Sequence, residues 1–187
     1  MLKRIEEFEK YVEIAGFKNV RIKNVEEFLK ATYKSSPGTD IQFFDARLVA
    51  TWEHLYFAVL NALTAFKNGE NISKSLAMET MLYASAQRQI RKATELIGIK
   101  RTTSTVAVLI IGEKPETVKS SRLAVSKSVD GLLDEAVLEL SREKVGEIRE
   151  AFDITEAELQ TVMHKNDLEK ALVDLVIERM ALLATQR

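Results

Sequence analysis

TVAVLII, residues 105–111, decides how the rest of the chain must be arranged. From Val106 to Ile111 it is apolar without a break, with polar residues before it and Gly112 after it. A strand that alternates apolar and polar residues can leave one face in water. This one cannot, so it reads as a strand buried on both faces. Gly112 then turns the chain, and Pro115 suits the first position of a following helix, whose early Glu116 favours the positive end of the helix dipole.

Upstream of that strand, residues 75–85 and 86–97 carry two abutting helical patterns closed by Gly98. Before them, Trp52, Leu55, Tyr56, Val59, Leu60, Leu63 and Phe66 fall at helical spacing, and Asn68-Gly69 supplies the stop. Residues 41–50, IQFFDARLVA, are rich in β-formers and read as a strand bent near Asp45. Ser35-Ser36-Pro37-Gly38-Thr39 is a loop, residues 25–32 a short helix, and residues 11–22 a hairpin-like pair of strands around Gly16. Downstream, residues 141–152 predict a helix, and Thr155 with Glu158 forms a T-x-x-E capping box for a short helix to about Val162. Asn166 or Asp167 caps a last helix that runs to about Ala184. Helices interleaved with a few strands predict a mixed α+β layer structure, a single helix-rich domain over residues 1–187 with a small central mixed sheet.

Composition narrows the function classes. A net charge of −1 gives no global field toward nucleic acid or an anionic membrane, so any such contact needs a local patch. With no Cys there are no disulfides, thiolate metal sites or thiol nucleophiles, and a cytoplasmic protein fits best. The N-terminus mixes charges and has no apolar signal region, and the run 106–111 is far too short to cross a bilayer, so no membrane partner is expected.

Chemistry is as sparse. His54 and His164 lack metal-ligand partners at a useful spacing, and no phosphate-cradling or nucleophile-elbow motif occurs. His54, near the start of a long helix, reads as satisfying a local backbone or carboxylate group. Glu79 among Leu76, Met78, Met81 and Leu82 reads as a hydrogen-bonded carboxylate and not a general base. No catalytic residue, metal or cofactor is expected.

Two surfaces remain. On residues 86–97, Ala86, Ile90, Ala93 and Ile97 line one face, opposite Arg88, Arg91, Lys92 and Glu95. Lys100 and Arg101 extend the positive patch beyond Gly98. Such a face can grip phosphates and unpaired bases, or it can simply be a wet helix face with Arg91 and Lys92 paired to acids. Residues 167–187 carry more apolar surface than one stripe: Leu168, Leu172, Leu175, Val176, Leu182 and Leu183, with Val173, Ile177, Met180 and Ala184 beside them. That predicts either burial in the middle of the fold or a partner interface through Leu172, Val176, Met180 and Leu183.

The segments Phe44-Asp45-Ala46-Arg47-Leu48-Val49-Ala50, His54-Leu55, Met78-Glu79 and Ala84-Ser85-Ala86-Gln87-Arg88-Gln89-Ile90, continued by Gly98, the 106–111 strand and Ile148-Arg149-Glu150-Ala151-Phe152, resemble one family. It is the KEOPS-complex subunit of the PRPK-binding protein (TPRKB) family, archaeal type. The resemblance runs from about residue 41, and its A-S-x-Q-R-Q-I stretch is the most specific part. It implies a non-catalytic accessory subunit. Such a subunit binds the small lobe of the KEOPS kinase/ATPase subunit, stimulates it, and captures the single-stranded CCA end of tRNA for threonylcarbamoyladenosine modification. Arg88 and Gln89, within the matching motif, are then tRNA contacts; Arg91, Lys92, Lys100 and Arg101 join them on charge placement alone. Ala86 stands where the archaeal pattern has Gly, which implies a stiffer junction between the two helical segments.

Overall fold

The computed structural model describes residues 2–165 and 167–185. In chain order the elements begin with β1 (Leu2–Ile5), β2 (Lys10–Lys18), α1 (Val25–Lys34), β3 (Thr39–Asp45), α2 (Trp52–Asn68), α3 (Leu76–Ala84) and α4 (Ile90–Ile97). They continue with β4 (Val106–Gly112), α5 (Pro115–Ser128), β5 (Leu132–Leu133), α6 (Arg142–Ala151), α7 (Glu156–Val162) and α8 (Leu168–Leu183). The mixed α/β class is as expected. The chain forms two compact units, Met1–Ala46 with Ile99–Val137 and Arg47–Gly98 with Leu138–Arg187.

The first unit holds the sheet, ordered β1-β2-β4-β3 with β5 beside β2. All seven residues of β4 are buried, because it lies between β2 and β3 and carries no polar side chain to present to water. Every pairing among the described residues is antiparallel, so the sheet is not the mixed one expected. Ile14 faces Leu109 and Phe43 faces Val108. The pleat therefore brings Ala15, Phe17, Ile41, Phe43, Val106, Val108 and Ile110 to one face, where they pack with Val118 and Val125 of α5. Phe28 of α1 meets Phe43 edge-on at 5.0 Å. Fully burying side chains of this size contributes about 1.5–3 kcal/mol each.

Gly112 ends β4 where α5 approaches: a Cβ there would lie 2.8 Å from Val118 Cγ2. Gly16 does not turn the chain. β2 runs straight through it, pairing it with Ala107, and the hairpin partner of β2 is the upstream β1, reached through a 3₁₀ turn at Glu6–Phe8.

The second unit is helical. Helix α2 runs to Asn68 and stops at Gly69, whose φ of 68° is the left-handed cap expected of Asn-Gly. The predicted capping box of α7 is present, and Asp167 caps α8 by accepting the Lys170 N–H at 2.9 Å; Asn166 lies outside the described residues. Ala50, Ile148, Phe152, Ile154, Leu159, Ala171, Leu172, Leu175 and Val176 form the core of this unit. Arg179 of α8 ties the turn between α6 and α7, donating to the carbonyls of Phe152 and Asp153 and to Glu158.

Candidate nucleic-acid and partner interfaces

Helix α3 ends in a Schellman turn. Ala86 N–H donates to the Tyr83 carbonyl at 2.9 Å and Gln87 N–H to the Leu82 carbonyl at 3.0 Å, which satisfies two carbonyls the helix end would otherwise orphan. The motif places its C′ residue in the left-handed region, and here that residue is Ala86, at φ 51°. This corrects the continuous helical reading of residues 86–97. The chain leaves the helix at Ser85 and resumes it only at Ile90, with Gln89 as the N-cap residue. Glycine is the usual residue at such a C′ position, and alanine there adopts a φ that side chains disfavour.

The turn is fixed from below. Ser85 Oγ donates to the Met81 carbonyl at 2.8 Å. His54 is fully buried; its Nδ1 accepts the Ala50 N–H at 3.2 Å, so the ring proton is on Nε2, which donates to the Ala84 carbonyl at 2.8 Å. Burial pushes the His54 pKa down to about 4, so the ring is neutral near pH 7. The local-backbone role expected of His54 is what it performs. Glu79, also buried, accepts the Ile72 and Ser73 N–H groups at 3.0 and 2.6 Å and holds the loop before α3.

Beyond this base, Arg88 and Gln89 are exposed. Arg88 Nη1 donates to the Leu183 carbonyl at 3.4 Å, a long bond that leaves most of the guanidinium fork open. Arg91 pairs with Glu95 at 2.8 Å and is partly neutralised, whereas Lys92 is exposed and has no acidic partner among the described residues. Of the apolar face expected on this helix, Ala93 and Ile97 are fully buried, but Ile90 is 46% exposed beside the cations. Tyr83, the one aromatic near the patch, is itself buried and offers no open ring. A cleft of about 230 Å³ adjoins Ser85, Ala86 and Gln87; it is smaller than typical ligand pockets, and its cation, Arg179, is already bonded.

Lys100 and Arg101 belong to the first unit. They stand exposed on a turn in which Thr103 N–H donates to the Lys100 carbonyl at 3.0 Å and Lys100 N–H to Thr103 Oγ1 at 2.9 Å. Buried Asp45 accepts the Thr103 hydroxyl proton at 3.2 Å, so the bend expected near Asp45 anchors this turn.

The apolar residues expected to meet a partner are placed differently. Leu172, Val176 and Met180 are fully buried and Leu183 is 2% exposed, so all four fill the interior of the second unit. Helix α8 packs on α2, α3, α6 and α7, and that many neighbours consume its widest stripe. Val173 and Ile177 remain half-exposed. They line one wall of a groove of about 690 Å³, opposite Trp52 and Phe57 at the start of α2, with Leu140 and the Lys170–Asp174 ion pair at its border. Trp52 and Tyr56 pack at 5.8 Å, and Phe57 is 39% exposed. The sequence carried one signal for this groove: Phe57 is a large aromatic outside the set of α2 residues at helical spacing.

Among the described residues no three His, Asp or Glu side chains gather as a metal site, and no helix is long and apolar enough to cross a membrane.

Against known proteins, the family described as "Kinase binding protein CGI-121" matches residues 17–184, starting well before residue 41, where the sequence resemblance begins. The regulatory protein Cgi121 of Methanocaldococcus jannaschii is 36% identical over 117 residues, covering 63% of this chain and 72% of that protein. With nearly its whole length matched, the chain belongs to the CGI-121 family of kinase-binding proteins, which is not a family of enzymes.

Proposed function

We propose that the chain is the KEOPS accessory subunit that binds and stimulates the kinase/ATPase subunit and recruits tRNA by its CCA end, in the cytoplasm, for threonylcarbamoyladenosine modification. A kinase-regulatory role follows from the family. The observation that carries the RNA half is the projection of Arg88 and Gln89 from a turn fixed by four backbone and side-chain bonds, with exposed Ile90 and unpartnered Lys92 following. A preorganised fork and amide beside an apolar contact suit unpaired bases and their phosphates. The kinase docks in the groove between Trp52, Phe57, Val173 and Ile177, because aromatic side chains rimmed by charge are the usual anchors of protein interfaces.

Electrophoretic binding of tRNA with and without its CCA end tests the reading. An Arg88→Ala/Gln89→Ala variant is expected to bind CCA-bearing tRNA at least about tenfold more weakly, the order of one charge-assisted hydrogen bond, and to treat both tRNAs alike. Equal binding of the two tRNAs by the parent protein supports the alternative, a protein-only kinase regulator with a merely wet basic helix. Ile177→Asp is expected to lose the co-purified kinase while the subunit stays folded.

A further inference from the structure

The first unit carries a second cationic surface. Two segments contribute to it, residues 18–24, which begin with the last residue of β2, and residues 99–104 before β4, joined by the Val20 N–H donating to the Ser104 carbonyl at 2.9 Å. Between them they contain Lys18, Arg21, Lys23, Lys100 and Arg101, and neither contains an acidic residue. Lys18 is spoken for by Asp134 at 2.7 Å. Arg21, Lys23, Lys100 and Arg101 are exposed and have no acidic partner among the described residues.

Both segments are held rigid. Val20 and Ile22 are buried at 5% and 6% exposure, so the alternation of an extended chain turns Arg21 and Lys23 outward. The Arg21 N–H donates to the Asp130 carbonyl at 2.9 Å, which pins the middle of the segment. The turn bearing Lys100 and Arg101 is pinned through Thr103 to Asp45. The apolar side chains of both segments, Val20, Ile22 and Ile99, all point inward.

We propose that Arg21, Lys23, Lys100 and Arg101 form one interaction surface for the phosphodiester backbone of double-helical RNA. This rests on the reading of the chain as an RNA-recruiting subunit and adds a site that reads no bases. The partner class follows from the charge. The apolar side chains of the two segments are buried, and the exposed Leu132 and Leu133 belong to β5, beside the end of β2 and opposite Lys18 and Phe17. A phosphate backbone needs only fixed positive charge, and each contact releases counterions.

The test uses a blunt RNA hairpin with no single-stranded end, compared with tRNA bearing CCA, across salt. The variants are Arg21→Gln/Lys23→Gln, Lys100→Gln/Arg101→Gln and, as the contrast, Arg88→Ala/Gln89→Ala, each with its melting temperature checked. The parent is expected to bind the hairpin with a steep salt dependence. Each Gln pair is expected to lower that slope by about 2, so that going from about 50 to about 200 mM salt costs the parent roughly tenfold more affinity than the variant. The Arg88→Ala/Gln89→Ala variant is expected to leave the hairpin slope unchanged. No hairpin binding by the parent, unchanged slopes in both folded Gln pairs, or binding to anionic lipid vesicles without RNA binding overturns the proposal. Discrimination for the CCA end kept by the folded Arg88→Ala/Gln89→Ala variant, with the hairpin slopes behaving as stated, overturns instead the assignment of Arg88 and Gln89.

Discussion

Helices α4 and α8 both read from sequence as surfaces, one by charge and one by excess apolar area, and only one is open. Helix α4 has eight residues and two fully buried side chains, Ala93 and Ile97, so its charged side stays in water. Helix α8 has sixteen residues and neighbours on several sides, which take up Leu172, Val176, Met180 and Leu183. The lesson is that a broad apolar stripe on a long terminal helix first measures how many elements surround it. What it leaves for a partner is the residue at the edge of the stripe, here Ile177, and not the one at its centre.

The sharpest way to break this contrast is to put charge at the centre of α8. Met180→Asp should unfold the second unit, at a cost above about 4 kcal/mol, because an unpaired carboxylate replaces a fully buried side chain. Denaturant unfolding checks it, and a folded variant that only loses the kinase would restore Met180 as an interface residue.

A smaller effect, on the base of the α3–α4 turn, comes from His54. Its folded pKa, about 4, lies below the ordinary value of 6.5, so between those values the unfolded chain binds the extra proton. Stability contributed by neutral His54 is thus present above about pH 6.5 and lost as pH falls toward 4, by roughly 3 kcal/mol. In His54→Gln that stretch of the pH–stability curve should flatten; a curve identical to the parent's would mean the ring does not titrate as placed.

Smallest is Ala86→Gly, which removes the cost of a left-handed alanine at the Schellman position. It should stabilise by about 1 kcal/mol, seen as a rise in melting temperature of roughly 2–4 °C, and leave RNA affinity unchanged. A fall in stability would show that the turn relaxes to suit alanine.

Much of the fold was legible because its signals are local and strong. The uniformly apolar run became β4, Asn-Gly ended α2, Pro115 opened α5, and Thr155 with Glu158 capped α7. Gly16 misled because a glycine inside a strand and one in a turn look alike until the opposite residue, Ala107, is known. Ala86 misled more deeply. Alanine is the best helix former, so nothing local announces a left-handed residue there, and only the resemblance to a glycine-bearing pattern hinted at it. The burial of α8 was a choice between two readings, and the packing of distant elements made it.

The place of β4 in its sheet also governs the order in which the molecule can be made. β3 has one partner, β4, and Phe43 must wait for Val108 before it can pair. The intervening chain, Arg47–Gly98, belongs to the other unit, which also needs the later residues Leu138–Arg187 with α8. Neither unit can therefore finish before β4 has been made, and the second waits for α8 as well. Until then the β1–β2 hairpin and the consecutive helices α2, α3 and α4 are what has local partners. A nascent chain stalled at Gly98 would leave β3 with no partner and β2 paired along one edge only, the state most open to capture by chaperones or to aggregation.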